Sequence, residues 1–142
     1  MGFLDSLDIS ASGLTAQRMR MDVISENIAN IDTTETQIGG PYRRKYVVLA
    51  EKDSFSSYMR ADDETRPGGV YVSQIGTDQS DFRLEYDPTN VNANDEGYVE
   101  KPNVDLWQEM VDMVSAYRSY EANVTAFNAS KDMAVKALEI GR

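Results

Sequence analysis

The chain has 142 residues, with 24 Asp and Glu against 14 Lys and Arg, a formal net charge of −10, and neither histidine nor cysteine. That length suits one modest domain or a small domain with extended arms. The missing His and Cys exclude thiolate and Ser-His nucleophiles, zinc sites of the usual N/S kind and disulfides, and the acidic excess repels a nucleic-acid backbone.

The segment 1–30 has helical periodicity. Leu7, Leu14, Met21 and Ile28 recur every seven residues, with Ile24 on a flanking line. Asp5 and Asp8 are placed to cap the start. Ser10 to Thr15 is poor helix former, since Gly13 costs ~1 kcal/mol relative to Ala and Ser and Thr several tenths each. Such a helix is marginal alone and is expected to be ordered by a packing partner. The first eight residues lack the basic stretch and apolar core of a cleavable signal peptide. The longest apolar run, Tyr46 to Ala50, is far below the ~20 residues that span a bilayer, so no direct membrane insertion is expected. Composition alone points to the cytoplasm, unless export uses a machine that reads no cleavable signal.

The middle is punctuated by Gly39-Gly40-Pro41, Pro67-Gly68-Gly69, Pro88, Gly97 and Pro102, all turn signals. Segments 1–30, 31–102 and 103–142 carry net charges of −2, −6 and −2, so most of the acidity belongs here. Asp81 to Tyr86 alternates charged and apolar residues, which predicts a half-buried strand ended by Asp87-Pro88. Tyr46 to Leu49, Gly69 to Ile75 and Tyr98-Val99 are the other expected strands. They are compatible with either a small barrel or an open sheet.

The C-terminal segment carries the strongest periodicity. Leu106, Met110, Met113, Tyr117, Tyr120, Val124, Phe127, Lys131, Ala134 and Leu138 alternate spacings of four and three, a heptad seam. Asn103 is the expected N-cap, and Asp105 and Glu109 place negative charge at the positive end of the helix dipole. A helix over 104–140 would be roughly 55 Å long, against about 30 Å for a compact chain of this size. About eight large seam side chains represent roughly 12–24 kcal/mol of burial as an upper bound. Left uncovered, such a stripe aggregates, so self-association through the termini is expected alongside pairing of the helices within one chain.

Three motifs suggest chemistry. Asn92 to Gly97 imitates the first half of a calcium loop, but its twelfth position is Asn103, not Glu; a polar turn is the simpler reading. Tyr42-Arg43-Arg44-Lys45-Tyr46 has the composition of a phosphate-binding patch, yet it lies in the most acidic segment. A guarded strand edge, or a charge contact with a neighbouring molecule, fits better. Asp62-Asp63-Glu64 offers paired carboxylates for acid–base work, with no apolar pocket or base beside them. No catalytic residue, cofactor or metal is expected, and no nucleic-acid partner.

The predicted fold class is therefore α+β: an N-terminal assembly helix within 1–33, a β-rich middle domain over 34–102 and a C-terminal assembly helix within 103–142. The two long terminal helices are expected to pair antiparallel, like a coiled coil. The expected assembly interface comprises Leu7, Leu14, Met21, Ile24, Asn27, Ile28, Asn30, Leu106, Met110, Met113, Tyr117, Tyr120, Val124, Phe127 and Leu138. A soluble helical module that grips one partner, such as a secretion-system adaptor, is the alternative.

Ile24-Ser25-Glu26-Asn27-Ile28-Ala29-Asn30 resembles the Asn-Ile-Ala-Asn signature of bacterial flagellar axial proteins of the rod and hook class. Ser12 to Ser25, Gly39 to Arg44, Gly97 to Val99, Pro102 to Val104, Glu109 to Met113 and Arg118 to Val124 are similar to blocks of the proximal-rod subunits, in the same order and spacing. Glu26 stands where Asn is common, and 51–80 has little that matches. The resemblance implies a non-enzymatic subunit of the hollow rod that crosses the periplasm. Its partners would be copies of itself, other flagellar rod proteins and the adaptor joining the rod to the membrane ring. Export would use the flagellar type III apparatus, without signal cleavage. Asn27 and Asn30 would then either donate hydrogen bonds between subunits or end the first helix through a left-handed backbone.

Overall fold

The computed structural model describes residues 3–37, 39–52 and 68–140. In chain order the elements are α1 (Phe3–Ala29), β1 (Lys45–Glu51), β2 (Val70–Thr77), β3 (Arg83–Tyr86), β4 (Tyr98–Lys101) and α2 (Leu106–Ile140). The α+β class holds. The strands form neither a barrel nor one open sheet but two separate antiparallel ribbons, β1–β2 and β3–β4. The carboxylates at 62–64 and Gly141 lie outside the described residues.

α1 and α2 pack antiparallel, with Gly13 against Asn123 and Asn27 against Glu109. α1 also contacts both strands of the first ribbon, whereas among the regular elements α2 contacts only α1. The layers therefore run α2, α1, ribbon, with α1 in the middle. Helix-weakening residues of α1 sit at these contacts. A Cβ on Gly13 would come within 2.8 Å of the Asn123 amide nitrogen, so glycine lets the helices approach closely. The Ser12 hydroxyl accepts the Val70 N–H (3.0 Å), joining α1 to the ribbon. Ser10, Ser12 and Thr15 each donate to a carbonyl one turn back, which satisfies their hydroxyls inside the helix.

The β1–β2 ribbon carries a register irregularity between Val48 and Leu49. Opposite Gly76 lies the Tyr46 ring, close enough to exclude any Cβ there, so the aromatic covers the glycine's bare backbone. The alternation over 81–86 does yield a strand, but not a half-buried one. Leu84 and Tyr86 are exposed, and Val99 on the opposite face of the ribbon is buried. A two-stranded ribbon has only one face against the protein, and here Arg83, Glu85, Val99 and Lys101 share that face. Tyr86 and Tyr98 meet edge to face at 5.3 Å on the outer side.

Both helix termini differ from expectation. Asp105, not Asn103, caps α2: its carboxylate accepts the N–H groups of Trp107 (2.9 Å) and Gln108 (3.5 Å). Asn103 instead accepts the Arg44 N–H (2.8 Å) and donates to Ser80 and Asp78. α1 starts before Asp5, which lies in its first turn, where its charge complements the helix dipole.

Candidate assembly site

A buried polar cluster fixes the corner where α1, the 42–45 segment and α2 meet. Asn27 is fully buried and uses its whole amide. Its nitrogen donates to the Lys45 carbonyl (2.8 Å) and to Glu109 Oε2 (3.1 Å), and its oxygen accepts the Lys45 N–H (2.9 Å) and the Tyr42 hydroxyl (3.0 Å). The side chain thus pairs with Lys45 as a neighbouring strand would. Glu109, also fully buried, accepts Arg44 Nε at 2.6 Å; Arg44 and Arg20 both reach Asp112. A buried carboxylate is tolerated only when paired and hydrogen-bonded, as this one is. Burial, then the Glu26 and Glu109 charges, push the Tyr42 phenol up to about 12.

Asn27 consequently has nothing left to donate between subunits, and that expectation is corrected. Asn30 donates to the Glu26 carbonyl (2.9 Å) and accepts the Thr33 hydroxyl (3.2 Å). Among the described residues no non-glycine adopts positive φ, so the left-handed ending expected at Asn27 or Asn30 is also overturned. Hydrogen bonds back to residues 26 and 27 and a turn through Thr33 end α1 instead. Every cation of the 43–45 run has a partner within the chain. Arg43 stacks 4.2 Å over Phe82, Arg44 turns inward, and Lys45 pairs with Glu26.

The expected interface residues divide by depth. Ile24 is buried with Asn27. Leu7, Leu14, Met21, Ile28, Asn30, Met113, Tyr120, Val124 and Phe127 are half-buried, and Leu106, Met110, Tyr117 and Leu138 are exposed. The helix pair closes through a different line of α2. Glu109, Ala116, Asn123 and Ser130, seven apart, run along the side facing α1, with Glu109, Ala116 and Ser130 buried. At about 100° per residue the large-residue seam lies to one side of that line. The intrachain contact uses small and polar residues and leaves the seam partly uncovered. Trp107, Val111 and Val114 widen the uncovered surface, with Trp107 77% exposed.

Among the described residues no group of acidic side chains is placed to hold a metal ion. Asn90, Asn94 and Asp87 spend side-chain oxygens on Asx turns around Gly97. The Thr89 hydrogen bonds hold the Asp87 carboxyl below its ordinary value. No described helix is long and apolar enough to cross a membrane.

The family model for flagella basal body rod proteins matches residues 7–35, and that for the C-terminal part of flagellar basal body rod FlgEFG proteins matches 95–140. The chain is 59% identical to the flagellar basal-body rod protein FlgC of Bacillus subtilis, over 96% of this chain and 97% of that one. It is 45% identical to FlgC of Borreliella burgdorferi (99% and 98% covered) and 40% to FlgC of Escherichia coli O6:H1 (100% of both). A chain with two end-segment rod matches, relatives along its whole length and an uncovered helical seam belongs to the FlgC family of flagellar basal-body rod proteins, a structural and non-enzymatic family.

Proposed function

We propose that this basal-body rod subunit builds the proximal part of the rod, with its helix pair packed side by side against copies of itself and other rod proteins, and the ribbons outside. The observation that carries this reading is the seam of α2. Leu106, Met110, Met113, Tyr117, Tyr120, Val124, Phe127 and Leu138 form a sustained apolar line that α1 covers only in part. Such a line is stable in water only when a neighbour covers it. Leu7, Leu14, Met21 and Ile28 on α1 flank the same groove. The rod's resistance to torsion then comes from many repeated seams acting together. Contact with the membrane-ring adaptor, passage through the type III export apparatus and a periplasmic position are further parts of the proposal. The relatives favour it over a soluble adaptor.

Val124→Asp is the test. The variant is expected to keep the helix content of the dilute native chain by circular dichroism, to be exported, and to abolish rod formation and motility. Normal motility would contradict the proposal.

A further inference from the structure

The middle region carries an open cleft and, apart from it, a bare apolar tip. Gly39 and Gly40 both adopt positive φ (92° and 75°), and a Cβ on either would meet nothing within 4 Å, so this turn sets bare backbone against open space. With Pro41, Tyr42, Arg43 and Phe82 it lines a cleft of about 650 Å³. That lies within the roughly 300–1,000 Å³ of ligand-binding clefts. Arg43 stacks on Phe82, and its Nη1 donates only to the carbonyls of Asp78 (3.5 Å) and Ser80 (3.3 Å). Arg44 and Lys45 pair with carboxylates, so Arg43 is the cation of this run that lacks one among the described residues.

The β3–β4 turn presents Val91, which at 98% exposure is the barest large apolar residue among those described. Side chains lock this turn in place. Asp87 accepts the Thr89 N–H, Asn90 that of Asn92, and Asn94 those of Glu96 and Tyr98. The Asn92 amide donates to the Thr34 hydroxyl (3.2 Å), which fixes the tip on its own chain with Val91 in water. Asp95 and Glu96 on the same turn are exposed, and neither forms an ion pair with a described residue.

We propose that the Val91 tip of one copy seats in the cleft between Gly39 and Phe82 of another. This is a contact between middle regions, separate from the helix seam, and it rests on the assembly reading only in that copies are brought together. The apolar walls of the cleft take the valine, and Asp95 and Glu96 bring carboxylates to the Arg43 guanidinium, so the two surfaces are complementary in charge. Glu100 also lines the cleft and repels a carboxylate, which directs the acidic side of the tip toward Arg43. Because the turn is already locked, seating it costs little ordering entropy. The middle segments otherwise repel one another, the net charge of 31–102 being −6, and a cation without a carboxylate is where that repulsion is relieved.

The chain lacks cysteine, so the contact can be trapped without background. Full chains carrying Val91→Cys are mixed at high concentration with full chains carrying Gln37→Cys, an exposed position lining the cleft, and oxidised. A disulfide-linked heterodimer is expected. Replacing the Gln37→Cys chain by one with Ser73→Cys, exposed on β2 outside the cleft, is expected to give no comparable product. Arg43→Glu in the cleft chain, or Asp95→Lys with Glu96→Lys in the tip chain, is expected to lower the yield about tenfold, and the two changes together to restore it. The tip changes lie on an exposed turn, so they test the contact even where Arg43→Glu disturbs the fold. No heterodimer, an equal yield with Ser73→Cys, or a yield indifferent to the tip charges would each overturn the contact. Normal motility with Val124→Asp overturns the helix seam and leaves this result untouched, so the two readings fail separately.

Discussion

α1 and α2 are both long helices with apolar residues in sevens, yet they lead opposite lives. α1 lies between two layers, and among the described residues Met19, at 39%, is its one large apolar residue that counts as exposed. α2 has ten such residues and one neighbouring element. The helix with the poorer intrinsic propensity is thus the one held on two sides, and the stronger helix former is the one left bare. Helix stability in proteins comes mainly from packing of a face; a bare helix needs its own propensity until a neighbour arrives. On the assembly proposed above, the difference separates two jobs, internal scaffold and external contact.

The comparison breaks most severely at the polar corner. Glu109→Ala would strand Arg44 and the Asn27 amide in a buried site, and a loss of about 3–5 kcal/mol is expected in urea unfolding of the dilute chain. A loss under about 1 kcal/mol would show that this corner does not hold the two helices together. Tyr42→Phe removes one buried hydrogen bond, at about 1 kcal/mol. It also has a pH signature. The folded chain holds the Tyr42 proton more tightly than the unfolded chain, whose phenol titrates near 10. Stability from this group is therefore complete below about pH 10 and is lost as pH rises through about 12. The Phe variant should lack that part of the alkaline decline; an identical decline would assign it elsewhere. On the bare side of α2 the expected effect on the fold is smallest. Trp107→Ser with Val111→Ser should change unfolding free energy by only about 0.5 kcal/mol while impairing motility. A large unfolding change would mean that these residues belong to the subunit's own core.

Much of this was legible in the residues. The two terminal helices, the four strands and the turn at Asp87-Pro88 follow from period and punctuation. The phase of the helix pairing did not, because a heptad of large side chains marks where burial is available without saying which chain supplies it. The line that pairs within the chain, Glu109, Ala116, Asn123 and Ser130, has the same period in small and polar residues. Its signal was a carboxylate in register with them. Asn27 was misread because the Asn-Ile-Ala-Asn signature suggested a bond between subunits or a left-handed helix end. Its partners, Tyr42, Lys45 and Glu109, are up to 82 residues away and only the fold collects them. The exposed outer face of β3 was misread because alternation shows that a strand has two unlike faces, not that anything covers the apolar one.

Hydroxyl-radical footprinting of the free and the assembled subunit tests the division of labour most directly, since it reads individual side chains on both helices. On assembly Trp107, Met110, Tyr117 and Met133 of α2 should lose most of their reactivity, roughly tenfold, while Tyr42 at the polar corner, buried already, stays unreactive in both states. Unchanged reactivity along α2 in the assembled rod would contradict the account.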